Sequence, residues 1–141
     1  MAIMKQVEKK KIARQASSVF LSFESTQENV GEEGAKLFVM LYGGKTTDRL
    51  NELRYSRYMN MAAKSSKIRP EALPPTERAA HFHSLRAYYQ LQDWNTLRKN
   101  NLNPENWGWK VEGGSYVPIM TDEPPAPNDI LNVIRCNCKV S

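Results

Sequence analysis

Ile12, Ala16, Val19, Phe20 and Phe23 recur at the spacing that stacks side chains on one face of a helix. Past a short joint, Val30, Gly34, Leu37, Phe38 and Leu41 repeat the pattern. Two successive amphipathic helices with a short joint imply an antiparallel hairpin, and this constrains the fold more than any other feature. Ser25-Thr26-Gln27-Glu28 fits a capping box with Ser25 as the cap, and Gly43-Gly44 ends the second helix. Gly31 and Gly34 each weaken that helix by about 1 kcal/mol relative to alanine, so tertiary packing must hold it. Gly34, on the buried stripe, permits close approach of a neighbour.

The same reasoning places a third helix from Thr47 to about Ser65. Leu50, Leu53 and Met61 share an arc with Arg54, Arg57 and Lys64, while Tyr55, Tyr58, Met59 and Ala62 lie on the neighbouring arc. The expected packing puts the tyrosines in the core and lays the arginine stems over its rim. The alternative is functional: tyrosines interleaved with basic side chains can stack on bases and meet phosphates. After Pro70 and Pro74-Pro75 a fourth helix runs from about Thr76 to Lys99, with proline tolerated in its opening turn. Phe82, Leu85 and Tyr89 form one apolar stripe, and Ala80, Ala87, Leu91 and Trp94 another, as expected of a central helix.

Beyond Asn100 the pattern changes. Trp107, Trp109 and Val111 alternate, Gly113-Gly114 supplies a reversal, and Tyr116-Val117-Pro118-Ile119 follows, which reads as a β-hairpin with Pro118 at an edge. A lone hairpin is not stable, so the tryptophans are expected to dock it on the helices. Residues 121–127, rich in proline and acid, read as an extended linker. Asn128 then caps a short helix from Asp129 to about Arg135, before Cys136-Asn137-Cys138. The fold class is therefore mainly α: a four-helix-type bundle over 1–100, a Trp-rich hairpin docked on it over 101–120, and an extended tail over 121–141.

The chain carries a formal net charge of +5, and its basic residues are clustered. Lys5, Lys9, Lys10, Lys11 and Arg14 lie near the N-terminus; Arg54, Arg57, Lys64, Lys67 and Arg69 form a second group with no acid between Glu52 and Glu71. Clustered cations attract polyanions by counterion release. The candidate nucleic-acid contacts are thus Arg54, Arg57, Tyr58, Lys64, Lys67 and Arg69, and DNA or RNA the candidate partner. Trp107 and Trp109 are the candidate surface for a protein partner. No apolar run reaches the roughly 20 residues that cross a bilayer, so no membrane partner is expected. Two cysteines without a signal sequence point to a reducing, intracellular compartment, with the nucleus as a candidate.

Catalytic chemistry is not legible. The aspartates Asp48, Asp93, Asp122 and Asp129 sit at element edges rather than converging as two-metal hydrolysis requires. Gly43-Gly44-Lys45-Thr46 lacks the first glycine of a phosphate loop and reads as a helix cap. His81 and His83, two residues apart on a helix, point about 200° apart and cannot chelate one ion. Cys136 and Cys138 supply half of a four-donor zinc site. The expectation is a chain with no cofactor and no enzymatic activity.

Leu73-Pro74-Pro75-Thr76, the pairing of His81 or His83 with Arg86, Trp94, Trp107-Gly108-Trp109, Pro118-Ile119-Met120-Thr121, Ala126-Pro127 and Ile134-Arg135-Cys136-Asn137-Cys138-Lys139 carry a resemblance. Leu41-Tyr42-Gly43 and Leu53-Arg54-Tyr55 extend it upstream. The chain resembles the C-terminal region of a large group of mobile-element-like animal proteins. In the longer members a PIN-like nuclease domain precedes this region and a cysteine-rich tail resembling the tesmin/TSO1 CXC motif, which binds zinc and DNA, follows it. The chain has nothing resembling the acidic nuclease core and only the first elements of the CXC pattern. The resemblance therefore implies neither nuclease activity nor zinc binding here. It implies a helical connecting region, expected to be a fragment, from a protein that handles nucleic acid.

Overall fold

The structure is a computed structural model describing residues 2–64, 67–95 and 101–124. It is mainly helical, with α1 over Ala2–Leu21, α2 over Gln27–Leu41, α3 over Leu50–Lys64 and α4 over Glu77–Trp94. Two short antiparallel strands follow, β1 (Trp109–Glu112) and β2 (Ser115–Pro118). The expected helix at Asp129–Arg135 and the pair Cys136 and Cys138 lie outside the described residues.

Local chemistry sets the helix ends. Thr26, not Ser25, caps α2, its hydroxyl accepting from the Asn29 amide at 3.2 Å. Ser25 instead donates to the Val19 carbonyl at 2.7 Å, closing the end of α1. The two adjacent hydroxyls compete for the cap, and the α1–α2 turn decides between them. Thr76 caps α4 in the same way, accepting from Ala79. The third helix begins at Leu50 rather than Thr47, because the Asp48 carboxylate takes the Lys45 amide at 2.7 Å and holds a turn there.

α2 and α4 pack at very close range. A β-carbon on Gly34 would stand 1.9 Å from the Ser84 hydroxyl oxygen, and one on Gly31 would stand 2.3 Å from the His81 ring. Only hydrogen fits at either place. Ser84 turns its hydroxyl proton to the Ala80 carbonyl at 2.8 Å, so its buried oxygen is satisfied within its own helix.

Two apolar clusters form the core. Val30, Leu85, Tyr88 and Trp107 make the first, with Val19, Phe20, Phe82, Tyr89 and Leu102 against it. Val39, Leu50, Leu53 and Ala80 make the second, with Phe38 and Tyr42 against it. α4 is central, touching α1, α2 and the 3-10 turn at Pro104–Trp107. Its buried line, however, is Ala80, Ser84, Leu85, Tyr88 and Gln92. Trp94, read from the sequence as part of a buried stripe, is 66% exposed. Tyr88 and Gln92 take the interior: Tyr88 donates to the Ser22 carbonyl at 2.7 Å and Gln92 to the Phe20 carbonyl at 2.8 Å. Both bonds satisfy carbonyls at the end of α1, which lack helical partners.

The hairpin turns through Gly113-Gly114, with φ of 59° and 80°, the left-handed pair that a two-residue turn demands. Trp107 is not in a strand. It ends the 3-10 turn and is buried against Tyr88, where the rings stack with centroids 4.4 Å apart. Arg86 of α4 donates to the Gly108 carbonyl at 3.4 Å and to the Ile119 carbonyl, gripping both legs of the hairpin at its base. Burial lowers the pKa of the Arg86 guanidinium. In the first turn of α4, Arg78 holds Asp122 through a bidentate pair of 2.7 and 2.5 Å and lies over the Phe82 ring. The segment read as an extended linker is thus pinned to α4 at Asp122.

Candidate nucleic-acid interface

α3 differs from the other helices in how it is held. Only Leu50 and Leu53, in its first turn, are buried. Arg54 reaches from the same arc to the Pro74 carbonyl, and Arg57 donates to the Tyr42 carbonyl at 2.6 Å. Two cations thus fasten α3 to the loop before α4 and to the end of α2. The Tyr42 carbonyl lies at the C-terminus of α2, where the helix dipole favours a positive partner.

The tyrosines take the opposite side. Tyr55 is 66% exposed, Met59 49% and Tyr58 41%. The sequence-based expectation that they enter the core is corrected: the arc carrying Leu50, Leu53 and the half-buried Arg54 faces the bundle, so the neighbouring arc faces solvent. Periodicity could not choose between these arcs, since each offers comparable apolar area.

The remaining candidates lie at the far end of α3 and beyond it. Lys64, Lys67 and Arg69 are exposed, and the Arg69 amide donates to the Met61 sulfur at 3.2 Å, turning the chain back toward the helix. Lys64 sits in the last turn, on the arc of Leu53 and Arg57. The structure therefore separates the predicted contacts into two groups. Arg54 and Arg57 both donate to carbonyls that fasten the helix, Arg57 from an exposed position, whereas Tyr58, Lys64 and Arg69 are exposed, joined at the surface by Lys67, Tyr55 and Met59.

The proposed Trp surface is not assembled. Trp107 is 7% exposed and belongs to the core, since its ring completes the cluster around Tyr88. Trp109 is half-buried, with its indole nitrogen buried and unpartnered among the described residues. The exposed apolar atoms of the hairpin belong instead to Val111 and Tyr116, which face each other across the strands.

A cleft of about 1000 Å³ lies between α1, α2 and the turn after Gly43. Ile12, Val39, Met40 and Leu50 give it apolar walls. Its charges are mixed: Lys9, Lys36, Lys45 and Arg49 face Glu8, Glu32, Asp48 and Glu77. Thr46 donates to Glu8 at 2.8 Å across the cleft, and Arg49 meets Glu77 at 3.5 Å. His81 and His83 stand apart, the first against Gly31 and the second edge-on to Phe38 at 5.7 Å. Among the described residues no three histidine, cysteine or acidic side chains gather closely enough to hold a metal ion. No helix there is long and apolar enough to cross a membrane. No family model, curated protein or solved structure matches the chain.

Proposed function

We propose that this chain is a non-catalytic helical module that contacts nucleic acid through the outer face of α3 and the basic segment after it. One observation carries the reading: Tyr55 and Tyr58 are exposed within a stretch that runs from Glu52 to Glu71 without an acid. An exposed ring on a helix gains nothing from the core, and the nearby cations supply the attraction that a polyanion needs. The resemblance to mobile-element-like proteins with a nuclease domain points the same way.

The test is a gel shift with the full chain on single- and double-stranded DNA and RNA. Binding should appear at low salt and weaken steeply as salt rises, with a slope set by the few phosphates neutralised. Lys64→Gln combined with Arg69→Gln should reduce both the affinity and that slope. Absence of any shift at low salt, with the protein folded, would refute the proposal.

A second reading has its own support. Met59 lies beside the two tyrosines on the outward arc, and the three make an apolar strip that a partner protein's surface can cover. Salt-insensitive capture of a partner, lost with Tyr55→Ala and Met59→Ala and untouched by Lys64→Gln, would favour it over nucleic acid.

A further inference from the structure

We infer that the α3 face is built for single-stranded rather than double-stranded nucleic acid, with Tyr55 and Tyr58 stacking on unpaired bases. The inference rests on the nucleic-acid reading above and narrows it to a substrate class. Three features of the structure carry it.

The rings are on adjacent turns. Three residues apart on a helix, Tyr55 and Tyr58 are separated by a rise of about 4.5 Å and a rotation of about 60°. They stand side by side on one face, with the long apolar side chain of Met59 next to them, and all three are well exposed. Such a surface offers ring faces and edges to a flat, apolar partner. Bases present their faces only where they are unstacked, as in a single strand, a loop or an end. In a duplex those faces are covered by neighbouring bases.

The guanidinium groups of α3 itself are directed elsewhere. Duplex recognition draws on guanidinium groups that reach base edges or pairs of phosphates along a groove. Here the Arg54 and Arg57 groups lie on the bundle-facing arc and donate to the carbonyls of Pro74 and Tyr42. Swinging either outward would give up a bond that fastens α3 to the rest of the molecule. The outward arc carries no arginine.

The cations that remain are grouped at one end. Lys64 and Arg69 are exposed at and beyond the last turn of α3, while Glu52 lies in its first turn. A flexible strand can place bases on the rings and bend its backbone to this single patch. A rigid duplex would meet the patch at one point and elsewhere lie along an arc that carries Glu52 and no cation.

The experiment is fluorescence anisotropy on the full chain with two probes of equal length, about 20 nucleotides, chosen to exceed one stacking site. One is fluorescein-labelled oligothymidylate, which has no secondary structure, and the other a labelled blunt duplex. The expected result is at least about tenfold tighter binding of the single strand. The double variant Tyr55→Ala/Tyr58→Ala should lose about tenfold or more on the single strand. Tyr55→Phe/Tyr58→Phe should retain binding, because stacking needs the ring and not the hydroxyl. Circular dichroism of each variant confirms the fold. Equal or tighter duplex binding, unaffected by loss of the rings, would overturn this inference and leave the nucleic-acid reading standing. No binding of either probe would overturn both.

Discussion

The Trp107 indole lies on the Tyr88 ring, 4.4 Å between centroids and 27° from parallel, and this stack joins the hairpin segment to the helices. Tyr88 is fixed from the other side by its bond to the Ser22 carbonyl, so one residue connects the end of α1, the middle of α4 and the hairpin base. Burial raises the pKa of its phenol, and a hydrogen bond with the Ser25 backbone partly opposes the rise.

Trp107→Ala should destabilise the chain by about 3–5 kcal/mol, a large share of the stability of a domain this size. Tyr88→Phe should cost about 1 kcal/mol, since the ring stack survives and one hydrogen bond is lost. Urea denaturation followed by far-UV circular dichroism measures both. A neutral Trp107→Ala would mean that this stack does not dock the hairpin on the helices.

Gly34 and Gly114 offer a paired test of two different reasons for glycine. Gly34→Ala suits a helix but places a methyl group on Ser84, so overpacking of about 1–3 kcal/mol is expected. Adding Ser84→Gly should recover part of the loss in a double-mutant cycle. Gly114→Ala meets no atom within 4 Å, yet the left-handed backbone there should cost about 1–2 kcal/mol.

Arg86→Leu removes the donor that holds Ile119 and Gly108. A loss of about 1.5–3 kcal/mol is expected, as for a hydrogen bond from a charged group. The more specific readout is amide hydrogen exchange. Protection of the hairpin amides should fall while that of α2 is unchanged.

His81 gives the molecule a pH dependence of known sign. Burial holds its pKa below the ordinary 6.5, the Arg78 charge adds to this, and Asp122 and Glu28 act against both. The unfolded chain therefore binds the proton more readily, so stability rises with pH wherever the two states differ in protonation. The contribution of His81 is complete above about pH 6.5 and is lost as pH falls through the lower folded value. The unfolding temperature should drop between pH 7 and 5, and His81→Gln should flatten that slope. Asp122, held below its usual range by Arg78, acts only in more acidic solution.

Several features were legible from residues alone because they rest on short-range rules. The glycine pair closing α2, the breaks at Pro70 and Pro74-Pro75, and the Gly113-Gly114 turn each follow from backbone preferences that act within a few residues. The Ser25 cap failed at one residue's distance, since two neighbouring hydroxyls were equally able to take it. The buried role of Tyr88 was missed because Phe82, Leu85 and Tyr89 already made a satisfactory stripe, and nothing local marks Ser22 as the partner of a residue 66 positions away.

Residue types and spacing by themselves determined that four helices and a hairpin would form, where several of them end, and that a basic stretch would surround two tyrosines. Only the tertiary structure decided which way that stretch faces. α3 has two arcs of similar apolar content, and a helix cannot choose between them in isolation. Leu50 and Leu53 meet Val39 and Ala80, and Arg54 and Arg57 find carbonyls, only once α2 and α4 are in place. That contact settles the rotation of α3 about its axis, and with it the exposure of Tyr55 and Tyr58.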